Sequence, residues 1–96
     1  MNNKYDISNY EILFNAVLSL KTPEECFDFF RDLCTVTELN TLSQRIVVAK
    51  MLNEKKVYND IIKETGASTA TISRVNRSLL YGYGSYDKIF NKSDNE

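Results

Sequence analysis

The side chains whose types and spacing can do chemistry lie between Gly66 and Leu79. Ser68, Thr69, Thr71, Ser73, Asn76 and Arg77 form the polar side of a helical repeat. Ile72, Val75 and Leu79, at i, i+3 and i+7, form its apolar side. Short hydroxyl side chains at a helix start hydrogen-bond to base edges and phosphates, and the unsatisfied N–H groups of the first turn attract anions. That chemistry is recognition of a nucleic acid, not bond-making. Catalysis has little to work with. The 96 residues hold no histidine, which removes histidine-based acid–base chemistry and its triads. Gly66, Gly82 and Gly84 are not spaced as a phosphate-binding loop. Cys26 and Cys34 are separated by about 12 Å along a helix, too far for a disulfide. No third cysteine or histidine completes a zinc site, so the two read as ordinary thiols. Neither an enzyme nor a cofactor is expected.

Two short helices must position the polar face. Residues 57–80 read as a helix-turn-helix whose first helix carries Val57, Ile61 and Ile62 on an apolar side. Gly66 stands where a helix ending in a left-handed residue favours glycine. Ser68 is the N-cap of the second helix. A unit of this kind is expected to place a helix in the major groove of DNA. Thr69, Ala70 and Thr71 would lie nearest the bases, with Lys63, Ser68, Ser73 and Arg77 as phosphate contacts.

The total charge is −1, but it is unevenly distributed. Residues 45–77 hold seven basic side chains (Arg45, Lys50, Lys55, Lys56, Lys63, Arg74, Arg77) against Glu54, Asp60 and Glu64. The rest of the chain holds five basic and ten acidic side chains. Phosphate attraction depends on the local patch more than on the total. A patch of this size predicts moderate affinity.

The remaining sequence reads as further helices. Residues 6–20 place Tyr10, Leu13, Phe14, Val17 and Leu18 on one stripe. Thr22-Pro23-Glu24-Glu25 opens a second helix with a cap, a proline at the first helical position and two acids. Its Phe27, Phe29 and Phe30 are expected in a core or a subunit interface. Thr35-Val36-Thr37-Glu38 is a capping box for a third helix running to about Asn53. Leu42, Ile46, Ala49 and Leu52 make one apolar stripe of that helix, and Val47, Val48 and Met51 another. A helix apolar on two sides must be covered on two sides, and a second subunit is the expected cover. Residues 81–85, Tyr-Gly-Tyr-Gly-Ser, stop the helix; Tyr81, Tyr83 and Tyr86 could stack on bases, but their alternation with Gly82 and Gly84 points to a packed turn. A last helix over about 85–91 offers Tyr86, Ile89 and Phe90 for packing.

The expectation is one all-α domain of about six helices over residues 6–91, with residues 1–5 and 92–96 disordered. No apolar run reaches the length of a membrane span, and the N-terminus lacks the apolar core of a secretory signal. No membrane contact and a cytoplasmic location are therefore predicted.

Residues 42–52, LSQRIVVAKML, and 58–79, YNDIIKETGASTATISRVNRSL, resemble the tryptophan repressor-like family (TrpR superfamily), in its YerC/YecD branch. The resemblance covers about residues 10–90. It implies an intertwined all-α homodimer that represses transcription by binding a palindromic operator in double-stranded DNA. It also implies a site for free tryptophan, a co-repressor, built from a threonine before the third helix and two arginines. These match Thr35, Arg45 and Arg74. The glycine that follows the second arginine in the tryptophan repressor is here Val75. Three extra carbons in a filled site cost about 1–3 kcal/mol, or roughly 10- to 150-fold in affinity. Tryptophan is therefore expected not to be a strong ligand, which leaves room for a different small-molecule effector or none.

Thr35 alone also reads as an N-cap, and Arg45 as half of a surface ion pair. For Arg74 phosphate contact, ligand contact and ion pairing remain open. The competing reading of the whole chain is a protein-interaction module that retains the helix-turn-helix shape without reading DNA.

Overall fold

The structure is a computed structural model describing residues 6–91; the expected disorder of residues 1–5 and 92–96 lies outside the described residues. Among the described residues there is no strand. A 3-10 turn over Ile7–Tyr10 precedes α1 (Glu11–Leu18), α2 (Pro23–Leu33), α3 (Val36–Asn53), α4 (Tyr58–Thr65), α5 (Thr69–Tyr81) and α6 (Ser85–Phe90). The chain divides into two compact units, Met1–Leu39 and Asn40–Glu96. The boundary falls inside α3.

In the first unit, side-chain caps decide where helices begin. Asp6 accepts from the Ser8 N–H at 2.9 Å and from the Ser8 hydroxyl at 2.8 Å. This winds the first turn as 3-10, so the single helix expected over 6–20 becomes a 3-10 turn followed by α1. The α-helix ends at Leu18, after which the Ser19 hydroxyl donates to the Ala16 carbonyl at 2.7 Å. Tyr10 and Phe14 pack with ring centroids 5.8 Å apart, while Leu18 stands 80% exposed, off the expected stripe.

Thr22 caps α2 by accepting from the Glu25 N–H at 3.0 Å, with Pro23 in the first turn as predicted. The capping box of α3 forms in full. Thr35 Oγ1 accepts from the Glu38 N–H at 3.0 Å, and the Glu38 carboxylate accepts from the Thr35 N–H at 2.8 Å. Phe29 and Phe30 meet edge to face at 5.3 Å and are half-buried. Phe27 is exposed under the Arg31 guanidinium, 4.0 Å from its ring centroid. Neither α1 nor α2 buries a residue within the single chain.

The second unit holds the core. Val48, Ala49, Met51 and Leu52 of α3 pack with Ile61 of α4, Ala67 of the turn, and Ile72 and Val75 of α5. Ile62, Leu79, Tyr86 and Phe90 close it from the edge. The apolar residues of α3 divide along the helix rather than around it. From Val48 onward they are covered by α4–α6, whereas Leu42, Ile46 and Val47 are exposed.

Two expectations for the C-terminal segment are overturned. Tyr81 and Tyr83 are not in a packed turn but fully outward, at 81% and 102% exposure. Tyr81 lies two residues past Leu79, about 200° around the helix from the inner stripe. Ile89 is exposed, and α6 packs through Tyr86 and Phe90, an i, i+4 pair whose rings stack at 6.1 Å. Gly82 makes the exit from α5 possible, because a Cβ there would lie 2.3 Å from the Ser78 carbonyl oxygen.

Candidate nucleic-acid interface

The turn between α4 and α5 is pinned from three sides. Gly66 adopts φ 71°, ψ 6°, the left-handed conformation that ends α4. The Thr65 hydroxyl donates to the Ile61 carbonyl at 2.7 Å and accepts from the Ala67 N–H at 3.1 Å. Gln44 of α3 donates to the Thr65 carbonyl at 3.2 Å. Ala67, only 3% exposed, fits where a longer side chain would enter the core. A turn fixed in this way sets the start of α5 relative to α3 and α4.

Ser68 caps α5. Its hydroxyl oxygen accepts from the Thr71 N–H and donates to Thr71 Oγ1, both at 3.1 Å. The inner side of α5 is held by Ile72 and Val75 in the core, with Leu79 half-buried. Its outward side presents Thr69, Ala70, Ser73 and Arg77, all exposed. Thr71 stands apart from the other two predicted base-reading positions. It is half-buried, and its hydroxyl is engaged with Ser68.

Lys63 is exposed on α4, in a groove with Lys56, Asp60 and Glu64. Among the described residues the ion pairs are Arg31–Asp28 at 2.7 Å and Lys50–Glu54 at 3.0 Å. Arg45, Lys63, Arg74 and Arg77 therefore have no carboxylate partner among the described residues, and their charge is available to an external anion.

Three of the four residues expected to form an effector pocket come together. Arg45 of α3 and Arg74 and Val75 of α5 line a cleft of about 180 Å³ with Thr71, Ser78 and Tyr86. Val75, 5% exposed, belongs to the core as well as to the cleft. Thr35 lies in the other unit, where its side chain forms the capping box of α3. Ser78 and Tyr86 join this site without having been expected there. Ser78 is one turn beyond Arg74 on the same face, a spacing that could have found it; Tyr86 has no such local signal.

A family model described as Trp repressor protein matches residues 8–94. The chain belongs to that family. A Bacillus subtilis (strain 168) relative called uncharacterized protein YerC is 55% identical over 80 residues, spanning 83% of this chain and 77% of its own. The crystal structure of a TrpR-like protein from Eubacterium eligens superposes with a TM-score of 0.88 at 58% identity, covering 94% of this chain and 93% of that one. A second crystal structure, from Staphylococcus aureus, gives 0.84 at 51% identity, covering 88% and 84%. The Trp repressor family is one of regulators, not enzymes, and the fold is TrpR-like. No helix among the described residues is long and apolar enough to cross a membrane.

Proposed function

We propose that this Trp repressor family protein is a sequence-specific, DNA-binding transcriptional repressor that acts as a homodimer in the cytoplasm. The observation that carries the reading is the outward side of α5. Thr69 and Ala70 project from a capped helix start, held from beneath by a buried core and bordered by exposed Arg77 and Lys63, which have no carboxylate partner among the described residues. In this reading Thr69 and Ala70, with Thr71 beside them, contact base edges in the major groove. Lys63, Ser68, Ser73 and Arg77 contact phosphates.

A second copy supports the arrangement from two directions. The exposed apolar side chains of α1, α2 and the first half of α3, among them Ile12, Leu18, Val36 and Leu42, need a cover that the single chain does not supply. Two-fold symmetry then requires a palindromic operator with half-sites about 34 Å apart, as for the helix-turn-helix repressors of which the tryptophan repressor is an example.

Free tryptophan is not the effector in this reading, because the buried Val75 side chain lines the same cleft as Arg45 and Arg74 and fills space that a glycine would leave open. An effector, if one binds there, is smaller or differently shaped.

Selection of bound duplexes from a random DNA pool, at low salt and without added ligand, tests the proposal. Enrichment of a palindrome with half-sites one helical turn apart is the expected result. Failure to enrich any sequence, with or without a cell metabolite extract, would overturn it in favour of a protein-interaction module.

A further inference from the structure

α6 is too short to be stable alone. A helix of six residues forms few of its own hydrogen bonds, and Gly84 gives it no side-chain cap. Its order comes from what it touches. Tyr86 and Phe90 stack and pack against the core of α3, α4 and α5. Asn91, just past its end, exchanges amide hydrogen bonds with Asn53 of α3 and donates to Asp87 at 2.6 Å.

One of these contacts bears on the DNA-reading helix. Thr71, Arg74, Val75 and Ser78 are spaced i, i+3, i+4 and i+7, a single face along two turns of α5. Opposite them stand Arg45 from α3 and Tyr86 from α6. Among the lining residues Tyr86 is the one that comes from neither α3 nor α5. The inner stripe of α5 is held by the core, while this side face borders a cleft that Tyr86 also lines.

From this we infer that Tyr86 is a positioning residue: its ring, which packs against the core and lines the cleft with Arg45 of α3 and one face of α5, sets the orientation in which α5 presents Thr69, Ala70 and Arg77. The chain thus carries its own wedge for the reading helix. The inference rests on the proposed DNA reading for its consequence, but not for its geometry.

The test uses the full chain with Tyr86→Ala, Tyr86→Leu and Tyr86→Phe, and 4-methylphenol, the tyrosine side chain as a free molecule. Two readouts are taken: amide hydrogen exchange across α3, α4 and α5, and affinity for the duplex selected by the wild type. Tyr86→Ala is expected to speed exchange over residues 74–81 at least tenfold while α4 and the second half of α3 keep their protection. Its duplex affinity should fall at least tenfold. Millimolar 4-methylphenol should restore both in Tyr86→Ala and change neither in the wild type. Tyr86→Phe should behave as wild type, since the ring and not the hydroxyl does the positioning. Tyr86→Leu should fall between, and carries the test should the alanine variant not fold. Wild-type exchange in the truncated variants, uniform loosening of all three helices, or no response to 4-methylphenol would each overturn the inference. So would loosened α5 with undiminished affinity. If the wild type selects no duplex, the DNA reading fails, and the exchange pattern still decides the role of Tyr86.

Discussion

The side-chain amides of Asn53 and Asn91 donate to one another, at 3.0 Å from Asn53 Nδ2 and 3.2 Å from Asn91 Nδ2. This double hydrogen bond joins the end of α3 to the residue after α6. Asn91 is exposed and Asn53 half-buried, and the bonds between them face solvent, so each variant, Asn53→Ala or Asn91→Ala, should cost about 0.5–1 kcal/mol. For a domain of this size that lowers the melting temperature by about 2–8 °C. Removing one amide already breaks both bonds, so the double variant should cost little more than the worse single one. A calorimetric double-mutant cycle checks this, and strict additivity would show that the pair is not coupled.

The capping box of α3 gives the fold a pH dependence. The Thr35 N–H, and then the Thr35 hydroxyl, hold the Glu38 carboxyl below the usual glutamate range. Asp6 is lowered in the same way by the Ser8 N–H and hydroxyl. A carboxylate with a depressed folded pKa stabilises the fold above its unfolded value, about 4, and that stability is lost as pH falls through the folded value. The urea midpoint should therefore drop between about pH 5 and pH 3. Glu38→Gln keeps the hydrogen-bonding geometry but not the titration. It should lower the neutral-pH midpoint towards the value that the wild type reaches in acid, and flatten the acid limb, because the charge that stabilises the fold above about pH 4 is gone. A Glu38→Gln curve parallel to wild type would contradict the assignment.

Val75 makes a prediction about ligands. Its side chain is buried in the core and also lines the cleft between Arg45 and Arg74. Isothermal titration with free tryptophan should show no micromolar binding. Micromolar affinity would mean that the cleft rearranges around Val75, against the cost of about 1–3 kcal/mol for overpacking a filled site.

The unit of α4, its turn and α5 was legible because its signals are local. Gly66 in a left-handed turn, Ser68 as a cap, and Ile72, Val75 and Leu79 at helical spacing each act within one or two turns. The starts of α2 and α3 were legible for the same reason, through Thr22 and Thr35. The 3-10 start was not, because an apolar stripe over 6–20 says nothing of the competing bonds that Asp6 makes to Ser8. Tyr86 was visible as a packing residue, but not as a neighbour of Arg45 and Arg74. That juxtaposition depends on how the chain returns past Gly82 and Gly84, which no periodicity encodes. Arg45, Arg74 and Val75 as a group came from the family resemblance, since their distance in sequence carries no physical link.

Lys55 and Gly66 form a natural contrast in backbone chemistry. Both are left-handed, with φ 67° and 71°. Lys55 ends α3 in a Schellman turn: the Lys56 N–H donates to the Met51 carbonyl and the Lys55 N–H to the Leu52 carbonyl, both at 3.0 Å. A Cβ in this conformation costs about 1–2 kcal/mol, partly offset by the greater freedom of unfolded glycine. Lys55→Gly should thus stabilise the protein by about 0.5–1 kcal/mol, while Gly66→Ala should destabilise it by a similar or larger amount. No atom lies within 4 Å of the Cβ that Gly66→Ala would add, so the loss would come from backbone strain alone. Denaturant midpoints that move in the same direction for both variants would refute the argument.

Paired and unpaired cations should separate cleanly in DNA binding. Arg77 and Lys63 are exposed without a carboxylate partner among the described residues, whereas Arg31 is bound to Asp28 and lies in the other unit. Removing one cation from a phosphate lowers the slope of log affinity against log salt by about 0.9. Arg77→Ala and Lys63→Ala should each show that reduction and weaken binding to all duplexes alike. Arg31→Ala should leave the slope unchanged. Thr69→Ala should behave differently from both: it faces outward at the start of α5, so it should keep the wild-type slope yet lose discrimination at one base position of each half-site. A salt titration of the four variants on a selected duplex and on a scrambled one distinguishes these outcomes. If Thr69→Ala changed the slope, or Arg77→Ala changed only specificity, the division of α5 into base-reading and phosphate-binding positions would be wrong.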